Sequence, residues 1–115
     1  MTENPPRYDP PSGRSTYFIL HHRKAYAVFD LLEWADWYER ADRTVRKSYI
    51  GEYFISTVFL GLDHSFFDGP PLLFETMIFK TSFRDDLYQT RCTTWRQALK
   101  MHRTAKEYIR GIIND

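Results

Sequence analysis

The chain has 115 residues, of which 43% are hydrophobic and 17% aromatic, so it holds enough apolar material for one packed domain. Its 16 basic and 15 acidic residues leave a net charge of +1, which argues against a surface wholly devoted to nucleic acid but allows a local basic patch. Because the chain has one cysteine, Cys92, it forms no internal disulfide, as is typical of a reducing compartment.

The N-terminal segment, residues 1–14, has four prolines and one glycine and almost no apolar side chain except Tyr8. Proline favours extended backbone and removes hydrogen-bond donors, so we expect a flexible arm followed by a single domain over residues 15–115. The start of the chain has no signal-peptide pattern, and no run approaches the roughly 18 apolar residues of a membrane span. These features predict a soluble cytoplasmic protein with no membrane contact.

Two short runs of strand-forming residues, 17–20 and 26–29, predict a β-hairpin with a connection of three to five residues that lacks the usual glycine. His21 and His22 lie in that connection. Adjacent residues of a strand point to opposite faces, so we do not expect this pair to chelate one metal ion, and a solvated turn is the better interpretation.

The next segment, residues 31–42, has apolar residues at helical spacing, and Asp30 and Glu33 predict a capping box at its start. The expected buried stripe contains Trp34 and Tyr38, with Trp37 at its edge. The polar residues that follow, 43–51, predict a connection that ends in a turn at Gly51.

The most hydrophobic part of the chain, residues 53–80, predicts a central hairpin of two strands, 53–62 and 72–80, with a weaker edge strand at 87–92. Thr94 and Gln97 predict a second capping box, which opens a helix that runs to about residue 112. The sequence therefore predicts an α+β fold, in which an antiparallel sheet of about four or five strands packs against two helices.

Three polar residues of the central hairpin, Asp63, His64 and Glu75, are the candidates for catalysis. If the hairpin is symmetric about its loop, Glu75 lies beside Val58 among apolar side chains. A buried carboxylate is costly unless it is paired, hydrogen-bonded or protonated, which makes Glu75 a candidate for acid–base chemistry with His64. The structural interpretation, in which Glu75 satisfies hydrogen bonds inside the fold, is the one we favour. His102 adds a metal ligand type, but we predict no metal and no cofactor.

Two surfaces are candidates for binding. Phe66 and Phe67 lie in the turn that ends at Pro71, where they form either an apolar patch for a partner or a plug on the core. The last helix carries basic residues on the side opposite its apolar stripe, which favours either phosphate contacts or an ordinary solvated face. The predicted nucleic-acid contacts are Arg96, Lys100, Arg103 and Arg110.

Several segments resemble a family of small uncharacterised phage and prophage proteins. The matching residues are Glu33-Trp34-Ala35, Trp37, Asp42-Arg43, Ser56-Thr57-Val58-Phe59-Leu60-Gly61-Leu62-Asp63-His64, Gly69-Pro70-Pro71-Leu72-Leu73-Phe74-Glu75-Thr76-Met77, Thr94-Trp95 and His102. The chain departs from the family at residues 21–24, where a glycine-bearing turn is expected. The resemblance implies a phage or prophage origin and a bacterial cytoplasm, and it transfers no catalytic residue.

The leading functional hypothesis is therefore a phage accessory protein that binds a host or defence component. The alternatives are a small hydrolase or metal-assisted enzyme built on the candidates for catalysis, and a nucleic-acid-binding protein that uses the last helix. Enzymatic activity is the less favoured class because no phosphate loop, nucleophile elbow or zinc-finger spacing occurs. The oligomeric state is left open.

Overall fold

The predicted α+β fold is confirmed in a computed structural model, which describes residues 15–65, 68–81 and 83–114, with residues 83–87 described by their backbone alone. The predicted arm, residues 1–14, lies outside the described residues. The strands divide between a two-stranded and a four-stranded antiparallel sheet. In chain order the elements are β1 (Tyr17–His21), β2 (Lys24–Val28), α1 (Leu31–Arg40), β3 (Thr44–Ile50), β4 (Tyr53–Phe59), β5 (Phe74–Lys80), β6 (Phe83–Cys92) and α2 (Trp95–Ile113).

The first hairpin, β1–β2, turns through two residues rather than the predicted three to five. His22 and Arg23 both have positive φ, 50° and 67°, which is the backbone of the tight turns that suit strand twist. The turn also corrects the argument that His21 and His22 point apart. Because His22 has left the strand, the two imidazole rings meet edge to face with their centroids 4.2 Å apart.

The first helix, α1, begins after Asp30 as predicted, and the Asp30 carboxylate accepts hydrogen bonds from the amides of Leu32 and Glu33. The expected stripe does not reach the core, since no residue of α1 is fully buried. The helix is held instead by its half-buried aromatic rings. Trp34 Nε1 donates to the carbonyls of Phe18, on β1, and of Gly61, just after β4. Trp37 packs edge to face on Phe59.

Strand β3 was predicted as a connection, and this prediction was wrong. The segment pairs with β4 through the whole of its length, with a bulge between Thr44 and Arg46, and forms one edge of the four-stranded sheet. Its charged residues Arg46 and Lys47 are exposed, and charges on an edge strand oppose pairing with another chain. The turn predicted at Gly51 is confirmed, with a positive φ of 57°.

The central hairpin, β4–β5, has the predicted symmetric register, and Glu75 lies opposite Val58. Strand β6 pairs with β5 and is the second edge, so the prediction of an edge strand at 87–92 is confirmed, with a start four residues earlier. We call β3–β4–β5–β6 the large sheet. Its central strands alternate between buried and half-buried residues, which gives the sheet two different faces.

The second helix, α2, packs across all four strands of the large sheet on one side, which we call the covered face. The predicted capping box of Thr94 and Gln97 is confirmed, and the buried residues of the helix all come from its predicted apolar stripe. The covered face supplies Ile55, Phe59, Phe74 and Ile78 to the core. None of the helices in the described part of the chain is long and apolar enough to cross a membrane.

Candidate functional site

The candidates for catalysis are held by separate contacts. Asp63 Oδ1 accepts hydrogen bonds from the amides of Ser65, at 2.9 Å, and Leu72, at 3.0 Å, so its carboxylate closes the loop between β4 and β5. His64 joins the same loop through its backbone, since its amide donates to the Leu72 carbonyl at 3.1 Å. These bonds position the loop without any substrate.

Glu75 lies on the face of the large sheet that is turned away from α2 and is only 8% exposed. Its Oε2 atom accepts hydrogen bonds from Gln89 Nε2, at 2.7 Å, and from Arg91 Nε, at 2.8 Å, both on β6. The arginine also supplies the opposite charge. A carboxylate with two such donors is satisfied inside the fold, as the structural interpretation of Glu75 expects.

A metal-assisted site would need several ligands in one place. Among the described residues, no group of three or more His, Cys, Asp and Glu side chains could hold a metal ion. The contacts of Asp63 and Glu75 are explained by loop closure and by pairing with β6. Hydrolysis by these residues stays a prediction that no contact in the structure supports. Phe66 and Phe67, the predicted partner contacts, lie outside the described residues.

The second histidine of interest, His102, is 1% exposed and sits between α2 and the covered face. One ring nitrogen, Nε2, bonds Ser48 Oγ at 2.8 Å, and the other, Nδ1, bonds Thr57 Oγ1 at 2.7 Å. Thr57 bonds Thr76 in turn. Burial, followed by the charges of Arg46 and Lys106, lowers the pKa of His102 to about 4, so the ring is neutral at pH 7. His102 is therefore a buried histidine with both ring nitrogens hydrogen-bonded.

The cysteine is a poor nucleophile in this environment. Cys92 lies on the covered-face side of β6, opposite Phe74, and its thiol donates weakly to the Thr94 carbonyl at 3.7 Å. Burial raises the pKa of the Cys92 thiol to about 11, although the Thr94 contact lowers it. At pH 7 the thiolate is therefore scarce.

The face of the large sheet that points away from α2 is the structure's main candidate for binding, and we call it the open face. It carries Tyr49 from β3, Phe54 and Val58 from β4, and Glu75, Met77 and Phe79 from β5. No described helix packs on this face. The apolar side chains of β4 and β5 are half-buried here, whereas Tyr49 is 72% exposed.

Three rings of the open face form a row across neighbouring strands. Tyr49 and Phe54 stack with their centroids 4.8 Å apart, and Phe54 and Phe79 follow at 6.2 Å. Cross-strand aromatic pairs stabilise a sheet, but a row that ends in an exposed tyrosine also presents a broad apolar ridge to solvent.

Sequence reasoning missed the open face because it placed Tyr49 in a connection rather than in a strand. The available signal was the presence of three strand-forming residues, Val45, Tyr49 and Ile50, in this short segment. The charges of the segment obscured that signal, although charged residues are typical of edge strands.

The predicted nucleic-acid contacts lie on α2, and Arg96, Lys100, Arg103 and Arg110 are all exposed. Within the described part of the chain, none of the four has a carboxylate oxygen within 4.0 Å. Lys106, a fifth cation of α2, is half-buried.

Comparison with known proteins adds no relative. No protein-family model, no curated protein and no solved structure matches the chain. The phage and prophage resemblance therefore stays a prediction based on the sequence motifs.

Proposed function

We propose that the protein acts by binding another protein through the open face of the large sheet. The single observation that carries this proposal is the aromatic row of Tyr49, Phe54 and Phe79 on a sheet face that no described helix covers. Exposed apolar patches with polar surroundings are typical of protein interaction sites, and tyrosine is among the residues that contribute most to such contacts.

The arrangement of the rings favours a protein partner over a nucleic acid on this face. The central ring, Phe54, has one side against Tyr49 and the other toward Phe79. Bases bind to aromatic platforms by stacking on free ring faces, and the two faces of Phe54 are already turned toward neighbouring rings. The outward ring edges and the Met77 side chain suit apolar side chains of a partner instead.

The motif resemblance supports a more specific proposal, in which the protein comes from a phage or prophage and its partner is a component of the bacterial host or of its defence. Action in the bacterial cytoplasm belongs to the same proposal. This part rests on the resemblance alone and is separable from the proposed binding surface.

The proposal is tested by quantitative capture from bacterial extract with the Tyr49→Ser variant. We expect the amount of the bound partner to fall by about tenfold or more, because a central aromatic contact contributes about 2 kcal/mol. Leu32→Ser is the matched control, since Leu32 on α1 is an equally exposed apolar residue, at 79%. Equal capture by Tyr49→Ser and the unchanged protein would contradict the proposal.

A third variant in the same experiment, Phe66→Ala/Phe67→Ala, tests whether the predicted loop contact belongs to the interface. If this variant captures as much partner as the unchanged protein, the loop is not part of the interface. Sedimentation over a range of protein concentrations tests whether the partner is a second copy of the chain. In that case the protein would self-associate, and Tyr49→Ser would abolish the self-association.

Nucleic-acid binding by α2 is the second candidate function. The specific observation in its favour is that Arg96, Lys100, Arg103 and Arg110 are exposed and lack a carboxylate partner among the described residues. We expect affinity that falls steeply with salt and drops when two of these arginines become alanine. Arg40→Ala is the control, since Arg40 on α1 is exposed but paired with Asp36. Salt-independent affinity would exclude this function.

A further inference from the structure

A cavity of about 260 Å³ opens between the edge strand β3 and the flank of α2 that faces it. Arg46 contributes from β3, and Arg103, Lys106 and Arg110 contribute from α2, with Leu99 and His102 completing the lining. The three cations of α2 follow one another at spacings of three and four residues, which places them along one flank of the helix. We call this space the basic cavity.

We propose that the basic cavity binds a single phosphate group, as carried by a phosphomonoester. This inference is independent of the protein-binding proposal, since the open face lies on the opposite side of the large sheet. It also differs from nucleic-acid binding along the outer surface of α2, because Arg46 and Lys106 line the cavity whereas Arg96 and Lys100 do not.

The cavity brings four cationic side chains around one space. None of its four cations has a carboxylate oxygen within 4.0 Å among the described residues. Four like charges around one small space repel each other, and a bound anion relieves that repulsion. The cavity therefore favours an anion over a neutral or cationic ligand.

The number and type of the cations favour a phosphate over a carboxylate. Three of the four are arginines, whose planar guanidinium groups donate paired hydrogen bonds to phosphate oxygens. A phosphomonoester carries between about 1.5 and 2 negative charges at pH 7 and three acceptor oxygens, whereas a carboxylate carries one charge. The larger charge of the phosphate matches the four cations that line the cavity.

His102 lines the cavity and is neutral at pH 7, so its ring can report on a bound anion. Both ring nitrogens of His102 are hydrogen-bonded to hydroxyl groups, so neither nitrogen is available to bind the anion directly. The groups that face the ring are Arg46 and Ser48 from β3, Thr57 from β4 and Lys106 from α2. Since Arg46 and Lys106 both disfavour the protonated ring, an anion bound between them raises the pKa of His102.

The test is a titration of the full chain with inorganic phosphate, followed by NMR of the His102 ring. We expect saturable changes in its ring signals and a rise of about one unit in its pKa. Arg103→Gln, at an exposed position, should weaken binding by about tenfold, because a hydrogen bond between charged groups contributes about 1.5 kcal/mol or more. Lys106→Gln should have a similar effect.

The control is the double variant Arg96→Gln/Lys100→Gln, which removes two cations from α2 but leaves the cavity lining unchanged. Retention of phosphate affinity within about twofold supports the cavity. An equal loss in the control, or no change in the His102 ring signals up to saturating phosphate, overturns the proposal. A 5′-phosphorylated oligonucleotide, its 5′-hydroxyl counterpart and a nucleoside monophosphate then distinguish a terminal nucleic-acid phosphate from a free nucleotide as the source.

Discussion

The two faces of the large sheet are made from alternate residues of the same strands, but they differ in chemistry. On β4, Ile55 and Phe59 face α2 and are fully buried, whereas Phe54 and Val58 face away and are half-buried. On the covered face Ser48, His102, Thr57 and Thr76 are joined by a chain of hydrogen bonds. On the open face the aromatic row ends in an exposed tyrosine.

If the open face binds a partner as proposed, stability and recognition depend on separate faces of one sheet. The covered face removes apolar area from water against α2, which is the main favourable term in folding. The open face keeps apolar surface at the solvent boundary, which a partner can bury. Substitutions on the two faces should therefore separate the free energy of unfolding from binding.

The largest expected effect comes from a pair of neighbours on β4. Ile55→Ala should lower the free energy of unfolding by about 2–5 kcal/mol, because it creates a cavity in the core. Phe54→Ala should lower it by about 1–2 kcal/mol, since it removes cross-strand ring contacts from a half-buried site. Urea denaturation of both variants measures the difference. Equal losses would show that the two faces contribute equally to the free energy of unfolding and would contradict this prediction.

A second effect of similar size concerns pH and the covered face. The pKa of His102 is about 4 in the folded protein and 6.5 in the ordinary unfolded reference, so the unfolded chain binds the proton first as the pH falls. Stability should therefore be fully present above pH 6.5 and decline toward pH 4, by about 3 kcal/mol at this site.

The control for this pH dependence is His102→Gln, which removes the titrating ring but leaves the carboxylates in place. The stability of this variant should fall less between pH 7 and pH 4 than that of the unchanged protein. The difference between the two curves isolates His102. Parallel curves would show that His102 does not titrate between those limits.

A smaller contrast lies between two acid–base pairs that differ in burial. Glu75→Ala should cost about 1–2 kcal/mol, because it leaves the half-buried Arg91, and Gln89 beside it, without their acceptor. Glu52→Ala should change stability by at most about 0.5 kcal/mol, since Glu52 is 51% exposed in its pair with Lys80. Thermal unfolding at matched pH measures both losses. A larger loss for Glu52→Ala would contradict the stronger stabilisation expected from the buried Glu75.

The parts of the fold that follow from local patterns could be predicted from the sequence. Capping residues defined the starts of both helices, and the symmetric loop gave the pairing of Glu75 with Val58. The partners of Glu75 could not be predicted, because Gln89 and Arg91 meet it only once β6 has a register. Strand register depends on pairing between distant segments rather than on the residues of one segment.

The candidate surfaces show the same limit. The basic face of α2 follows from helical spacing alone, so Arg103 and Arg110 were found. Arg46 meets them only because β3 is a strand, and Tyr49 reaches the aromatic row for the same reason. One edge strand, hidden by its charges, therefore contributes to both the open face and the basic cavity.

The account depends on an open face whose aromatic row is left uncovered by the described residues, and the solvent accessibility of its rings is the decisive measurement. A soluble paramagnetic agent broadens the NMR signals of rings that it can approach. We expect strong broadening for Tyr49, weaker broadening for Phe54 and Phe79, and none for the fully buried Phe59 and Phe74. Protection of Tyr49 equal to that of Phe59 would contradict this account.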